Sequence, residues 1–540
     1  MGREEAAPAW AGALAGIVAG AVALGVAQLG AGLIRAGVFP VLAVGDWVVD
    51  LSPAPLKEFA IRTFGENDKN VLVGGVLVVL ALIAAGIGVA ARRRPAYGTA
   101  GLAAFGAIGL AAVLTRPGAS AADALPTLAG VVAGACALPW LLRRATPPRG
   151  RPADGAGSPS GTPGHEPPAG TAERPAVMRA PGVPAAFDRR RLLTGAAGGV
   201  AAAGATAFLG RSLAGARAVD AARVRVTLPP AAHPAPPLPA GADLRIGGLS
   251  PFVTPNADFY RVDTALIVPQ VDPRTWTLRV HGLVDRPIEI TYDDLLRRPL
   301  VEADITLACV SNEVGGPYVG NARWLGVRMA DVLREAGVRP EADMLLSTSR
   351  DGFTCGTPVD VILDGRDALF AIGMNGEALP VDHGFPVRQV VPGLYGYVSA
   401  TKWVVDVKVT RFDRDEAYWT PRGWAAKGPI KTQSRIDVPR AEAELKTGRT
   451  TIAGVAWAQH TGVDAVEVRV DRGPWRQARL AQVPGPDTWR QWALDWDATP
   501  GDHTIEVRAT DAAGRTQTEQ RAPVAPDGAT GWHTINVHVT

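Results

Sequence analysis

The chain has 540 residues, so more than one domain is expected. Its net charge of +3 is too small to argue for nucleic acid, and the excess lies in short Arg clusters beside apolar runs, a membrane pattern. The three cysteines, Cys136, Cys309 and Cys355, rule out a disulfide framework as the basis of the fold, and no CxxC or HxxxH pair points to zinc.

Residues 1–144 read as transmembrane helices. The runs 10–34, 71–91, 97–115 and 124–142 are apolar and roughly as long as a bilayer-spanning helix, which takes about 20 residues. Their Gly and Ala content suits close helix packing in lipid. Residues 38–51 are apolar but short and carry Asp46 and Asp50, and read as an interfacial or re-entrant piece. Arg92, Arg93 and Arg94 follow the second run, and Arg143, Arg144, Arg149 and Arg151 follow the fourth. By the positive-inside rule both clusters are cytoplasmic, with the N-terminus inside.

Residues 145–187 are rich in Pro, Gly and Ala and are predicted to be a disordered cytoplasmic linker. DRRRLLTGAAGGVAAAGATAFLGRSL, 188–213, sets Arg189, Arg190 and Arg191 before a moderately apolar run. It reads as a twin-arginine-like fifth transmembrane segment, or as an ordinary fifth span, and is taken as an uncleaved anchor. Either way, the chain beyond residue 213 is expected on the extracytoplasmic side. A Pro- and Ala-rich tether, 214–242, leads to a mixed α+β domain at 243–428. Residues 276–299 are expected to alternate as a strand, turn and enter a short helix, with later strands at 344–353, 385–392 and 402–410 and a helix at 328–337. From 429 to 540, short alternating strands separated by DRGPW, VPGPD, TPGD, DAAG and APDG predict an antiparallel, immunoglobulin-like β-sandwich.

Three motifs of the α+β domain mix Arg, His, Asn or Lys with Gly and aromatics. They are CVSNEVGG (309–316) with GNARWLGV (320–327), VDHGFPVRQVVPGLYGYVSATKWV (381–404) and TPNADFYRVDTAL (254–266). Glycines let a backbone approach a ligand closely, and Arg and Lys supply donors for an anion. None is a Walker A loop or a GxGxxG turn. Cys309 ends an apolar run where strand gives way to loop. It is either a buried filler or a sulfur that does chemistry.

The WTLRVHGLVDRP segment, CVSN after an apolar strand, HGFPVRQVVPGLYG and the KWV beyond it together resemble the sulfite oxidase family of molybdopterin oxidoreductases, over about 245–540. GVAWA, VEVRVDRGPWRQARL and WRQWALDW resemble that family's dimerisation domain. The resemblance implies a molybdenum-molybdopterin cofactor with Cys309 as catalytic thiolate and metal ligand, a soft donor suited to such a metal. It implies that Arg261, Asn312, His383, Arg388 and Lys402 bind the cofactor. Arg323 and Tyr395 are further catalytic or site-lining candidates, with Tyr318 and Tyr397 beside them. Cys355 is read as a packing residue.

Sulfite-oxidising members resemble CxGNRR after the cysteine, whereas Glu313 follows Asn312 here. A carboxylate facing the metal would repel sulfite, a small dianion. The resemblance therefore implies two-electron or oxygen-atom transfer on a small-molecule substrate, with reduction of a sulfoxide or other oxo compound, or non-enzymatic binding by a degenerate fold, as rivals. No CxxCH or b5-like haem segment is present, which implies a separate electron-transfer partner. No histidine precedes His165, so the membrane helices read as an anchor. By resemblance alone, 429–540 points to self-association. A twin-arginine route fits cargo that folds around its cofactor before export.

Overall fold

A computed structural model describes residues 8–34, 38–53, 63, 68–116, 119–145, 188–216, 219–265 and 267–540. Of the linker expected at 145–187, Ala145 ends a helix and the rest lies outside the described residues. The chain divides into two compact units, a helical one that ends at Arg217 and a β-rich one that ends at Thr540.

The helical unit holds α1 (Ala9–Ile34), α2 (Pro40–Leu51), α3 (Asp68–Ala91), α4 (Pro95–Leu114), α5 (Leu125–Ala145) and α6 (Arg189–Ala216). Five stretches among the described residues are long and apolar enough to cross a membrane: Ala9–Ile34, Val71–Ala91, Pro95–Leu114, Ala121–Ala145 and Arg189–Leu213. All five apolar runs expected from the sequence are therefore helical, and the short piece at 38–51 is a helix too short to span. Gly25 lies against the backbone of α6 at Ala203, where an added Cβ would sit 2.7 Å from the carbonyl oxygen. Small residues let these helix backbones approach closely. Large apolar side chains such as Val78 and Leu82 point outward.

In the β-rich unit, β1 (Thr277–Gly282), β2 (Ile288–Thr291), β3 (Val301–Ala308), β4 (Val319–Arg328), β5 (Met344–Ser349), β6 (Thr354–Pro358), β7 (Leu369–Met374), β8 (Glu377–Ala378), β9 (Arg388–Val390) and β10 (Val404–Thr410) form two sheets. Their orders are β2-β1-β10-β5-β6 and β3-β4-β7-β8, with β9 paired to β7. The helix expected at 328–337 is present as Met329–Ala336, closed by Gly337 at φ 72°. The strand expected at 385–392 shrinks to Arg388–Val390, while β4 and β7 are strands that the sequence pattern does not predict.

The remaining strands are β11 (Gln433–Val438), β12 (Ala443–Leu445), β13 (Gly448–Trp457), β14 (Val463–Val470), β15 (Arg476–Gln477), β16 (Arg479–Leu480), β17 (Arg490–Ala498), β18 (Gly501–Asp511) and β19 (His533–Val539). They make two sheets, β11-β13-β17-β16 and β12-β19-β18-β14-β15. Ile452 and Trp492 of one sheet share a core with Val466, Ile505 and Val537 of the other. This region is not walled off from the α+β part, because Val455, Trp457 and Trp489 belong to the same core as Leu278, Val407 and Phe370.

Candidate active site

The site is built where β3 ends. β3 pairs antiparallel with β4, Ala308 opposite Val319, and the chain between them is a loop that begins at Cys309. The Cys309 amide donates to the Tyr318 carbonyl at 3.0 Å, and the Asn312 amide donates back to the Cys309 carbonyl at 3.1 Å. The Asn312 side chain accepts the Tyr318 amide at 2.8 Å. Asn312 is thus a brace inside the loop. Cys309 is 8% exposed, and burial pushes its thiol pKa up, opposed by hydrogen bonds to Ser311 and by the Lys402 charge.

Arg388, His383 and Lys402 meet on one side of this loop's sheet. Gly384 makes this convergence feasible. Its φ is 111°, and a Cβ there would come within 2.9 Å of the Arg388 Cβ and 3.2 Å of the Lys402 backbone. The Arg388 guanidinium lies over the Trp324 ring at 5.0 Å and donates to the carbonyls of His383 and Gln389 at 3.1 and 3.4 Å. It is buried, no carboxylate pairs with it among the described residues, and burial pushes its pKa down to about 10. Lys402 bonds Asp263 at 2.8 Å and the Asp382 carbonyl at 3.0 Å. Burial pushes its pKa down to about 8 against the pull of Asp263. Arg261 shares the same Asp263 oxygen at 3.0 Å. Burial, then Arg388 and Lys402, push His383 down to about 4, so the ring is neutral. Its Nε2 lies 3.2 Å from the Asn256 carbonyl, which assigns the ring proton to Nε2.

The structure thus brings Cys309, Asn312, Arg261, His383, Arg388 and Lys402 together. Tyr395 is a buried phenol whose hydroxyl lies against Gly528, and its pKa is held high mainly by burial, with smaller pushes from Asp527 and then Cys309. Tyr397 instead donates to the Ala425 carbonyl at 2.8 Å. Cys355 is fully buried, its thiol 3.1 Å from the Tyr397 carbonyl. Arg323 is not brought in. It lies opposite Asp304 in the β3–β4 register and binds that carboxylate at 2.8 and 3.0 Å. Strand side chains alternate, so with Trp324 beneath Arg388, Arg323 faces the other way. Glu313 is exposed.

Two residues escaped sequence reasoning. The Tyr260 ring stacks on Phe259 at 5.2 Å and lies 6.3 Å from the Tyr318 ring, and burial, then Cys309, hold its phenol far above the usual range while Arg388 pulls the other way. Asp263 is the carboxylate that ties Arg261 to Lys402. Both lie inside the quoted TPNADFYRVDTAL motif.

Three cations, Arg261, Lys402 and Arg388, therefore share the site with one carboxylate, beside a buried thiol. A buried, uncompensated cation is costly, so the arrangement suits an anionic group seated against Arg388.

Residues 265–419 match the oxidoreductase molybdopterin binding domain. The chain is 30% identical to chicken (Gallus gallus) sulfite oxidase over 322 residues, 51% of this chain and 70% of that protein. It belongs to the sulfite oxidase family of molybdopterin oxidoreductases. The chain is also 31% identical to mouse (Mus musculus) mitochondrial sulfite oxidase, over 53% of its own length and 62% of the relative's. An uncharacterized oxidoreductase of Bacillus subtilis, YuiH, is 35% identical over 29% of this chain and 76% of its own. The cofactor is molybdenum-molybdopterin, and the thiol and the excess of buried cations fit it.

Proposed function

We propose that the chain is a membrane-anchored oxidoreductase that carries out two-electron or oxygen-atom transfer on the extracytoplasmic side, with Cys309 as the metal's thiolate ligand. The observation that carries this reading is the buried Cys309 thiol, which feels the Lys402 charge, together with Arg388, a buried guanidinium with no carboxylate partner among the described residues. When bound, the cofactor supplies the electron-pair and oxo chemistry. The protein's own groups do the rest. Arg388, Lys402 and Arg261 hold the anionic end of the cofactor, Arg388 by its planar fork. His383, neutral with its proton on Nε2, offers Nδ1 as an acceptor. Asn312 fixes the loop that aims the sulfur. Tyr260 stays protonated at neutral pH and is a donor to a substrate oxygen.

The five apolar helices support an anchor, and the arginines that flank them support placing the β-rich unit outside. The segment at 188–213 then works as a twin-arginine-like anchor. Electrons pass to or from a separate partner. An immunoglobulin-like assignment for 429–540 is supported by its two facing sheets, and self-association through it by the family resemblance.

One observation favours a second reading in the reductive direction. The residue after Asn312 is the exposed carboxylate Glu313, and Arg323 is consumed by Asp304. Neither adds positive charge for a small dianion such as sulfite, which favours a neutral oxo compound, for example a sulfoxide. Turnover with a reduced dye as donor, set against sulfite oxidation with an artificial acceptor, separates the two.

The test of the main reading is metal and pterin content of the full chain, purified from a host that makes the cofactor. Near-stoichiometric molybdenum and pterin are expected. Cys309→Ser should keep pterin and lose activity. A folded wild type with neither molybdenum nor pterin would sink the assignment.

A further inference from the structure

The loop that carries Cys309 is held from two distant places in the chain. Arg435, on β11, donates from Nη1 to the Gly316 carbonyl at 2.9 Å. Its Nη2 reaches the Ser250 hydroxyl at 2.9 Å, and its Nε is bound to Asp437 at 2.6 Å. Asp437 in turn accepts the Ser250 amide at 3.0 Å. The Arg435 and Asp437 side chains are 12% and 8% exposed, so the guanidinium is fixed rather than free to swing. His533, on β19, accepts the Ile436 amide at Nδ1, 2.9 Å away. The rest of its ring occupies the space that a Cβ on Gly315 would fill, and Gly315 has φ 79°. Position 315 therefore needs glycine for its backbone conformation and for the imidazole.

A second set of bonds grips β3 just before the cysteine. The Thr306 amide donates to the Asp487 carbonyl at 2.9 Å, and its carbonyl accepts from Gln459 Nε2 at 3.0 Å. Its hydroxyl accepts the Trp489 amide at 2.7 Å. Thr306 and Gly316 bracket Cys309, and both are held by residues beyond 430.

We propose that Arg435 and His533 are positioning residues for the Cys309 loop, so that the C-terminal two-sheet region is part of the catalytic apparatus. The proposal rests on reading Cys309 as the metal ligand. A thiolate that binds a metal already held by other donors must arrive at a set distance and angle. Asn312 braces the loop from inside and the Gly316 amide donates to the Glu313 carbonyl at 2.8 Å, whereas the Gly316 carbonyl is held from outside. Arg435 pins the apex carbonyl and His533 blocks the apex from sinking.

The test is hydrogen–deuterium exchange with peptide resolution on the full, cofactor-loaded chain, comparing wild type with Arg435→Gln and Arg435→Lys. Loss of a charge-assisted hydrogen bond should speed exchange in the peptide spanning 309–318 by about tenfold or more. Exchange in 463–470 and 501–511, within β14 and β18, should stay unchanged. Absorption of the metal–thiolate pair should change in Arg435→Gln and move back toward wild type in Arg435→Lys. Gly315→Ala attacks the same apex from the loop side and should reproduce the effect if Arg435→Gln folds poorly. Unchanged exchange in 309–318, equal speeding in β14 and β18, or a faster loop with an unaltered spectrum would each overturn the proposal. A wild type without molybdenum overturns the reading of Cys309 separately, and exchange alone then decides whether Arg435 holds the loop.

Discussion

Replacing Arg388 by methionine should separate stability from cofactor binding. The guanidinium is 5% exposed, and its pKa is pushed from 12.5 down to about 10. At neutral pH it is charged in both folded and unfolded chains, so that shift is a cost of the folded state, about 3 kcal/mol at 1.36 kcal/mol per unit. Methionine has similar reach and would keep the apolar contact with Trp324. It forfeits the hydrogen bonds to His383 and Gln389, worth about 1 kcal/mol each. The two terms nearly cancel, and the cofactor-free variant should be as stable as wild type, or more stable by about 1 kcal/mol. The loaded protein should behave oppositely, because the anion's main partner is gone. Full chain would be prepared with and without cofactor and unfolded thermally under tryptophan fluorescence, with pterin content measured in parallel. The expected pattern is an unshifted apo transition, loss of the ligand-dependent rise in midpoint, and a large fall in retained pterin. An apo variant destabilised by about 3 kcal/mol or more would show that Arg388 is compensated within the protein. The argument from an unmatched buried cation would then fail.

Asp263→Asn should act in the other direction. It strips Lys402 and Arg261 of their shared carboxylate, and breaking a buried pair costs about 3–5 kcal/mol in the cofactor-free protein; chemical unfolding with an unshifted midpoint would refute this. Gly384→Ala places a methyl against Arg388 and Lys402 at a φ of 111°, and strain with overpacking should cost about 2–4 kcal/mol, read as a lower thermal midpoint with reduced pterin. Cofactor-free protein should also lose stability as pH falls. His383 and His533 are both pushed from 6.5 down to about 4, chiefly by burial. Between those values the unfolded chain binds more protons, so their contribution is complete above about pH 6.5 and shrinks as pH drops toward 4, by up to about 3 kcal/mol each. Denaturation midpoints across that range in wild type and His533→Gln check it, and parallel curves would refute the assignment for His533.

The sequence carried most of this site because its groups are tied to local backbone demands. Gly384 sits inside HGFPVR, and the same short stretch that needs positive φ also delivers His383 and Arg388, so motif and geometry coincide. The apolar helices were legible for a similar reason: length and composition alone set them. Arg323 shows where reading by motif goes astray. GNARWLGV looks like a glycine-rich ligand loop, yet it is β4, and once it is a strand its alternation sends Trp324 toward Arg388 and Arg323 toward Asp304. Asp263 was within reach, since a carboxylate two residues from Arg261 in a motif already chosen for its cation is its natural partner. Arg435 and His533 were not. No periodicity connects a strand start near 433 or a histidine near the C-terminus to the loop after Cys309, because their meeting depends on how two sheets stack and not on any spacing along the chain. The residues proposed to bind the cofactor follow from local pattern, whereas the residues proposed to aim the sulfur follow from packing. Substitutions at Arg435 and His533 therefore probe a part of the site that only the folded chain reveals.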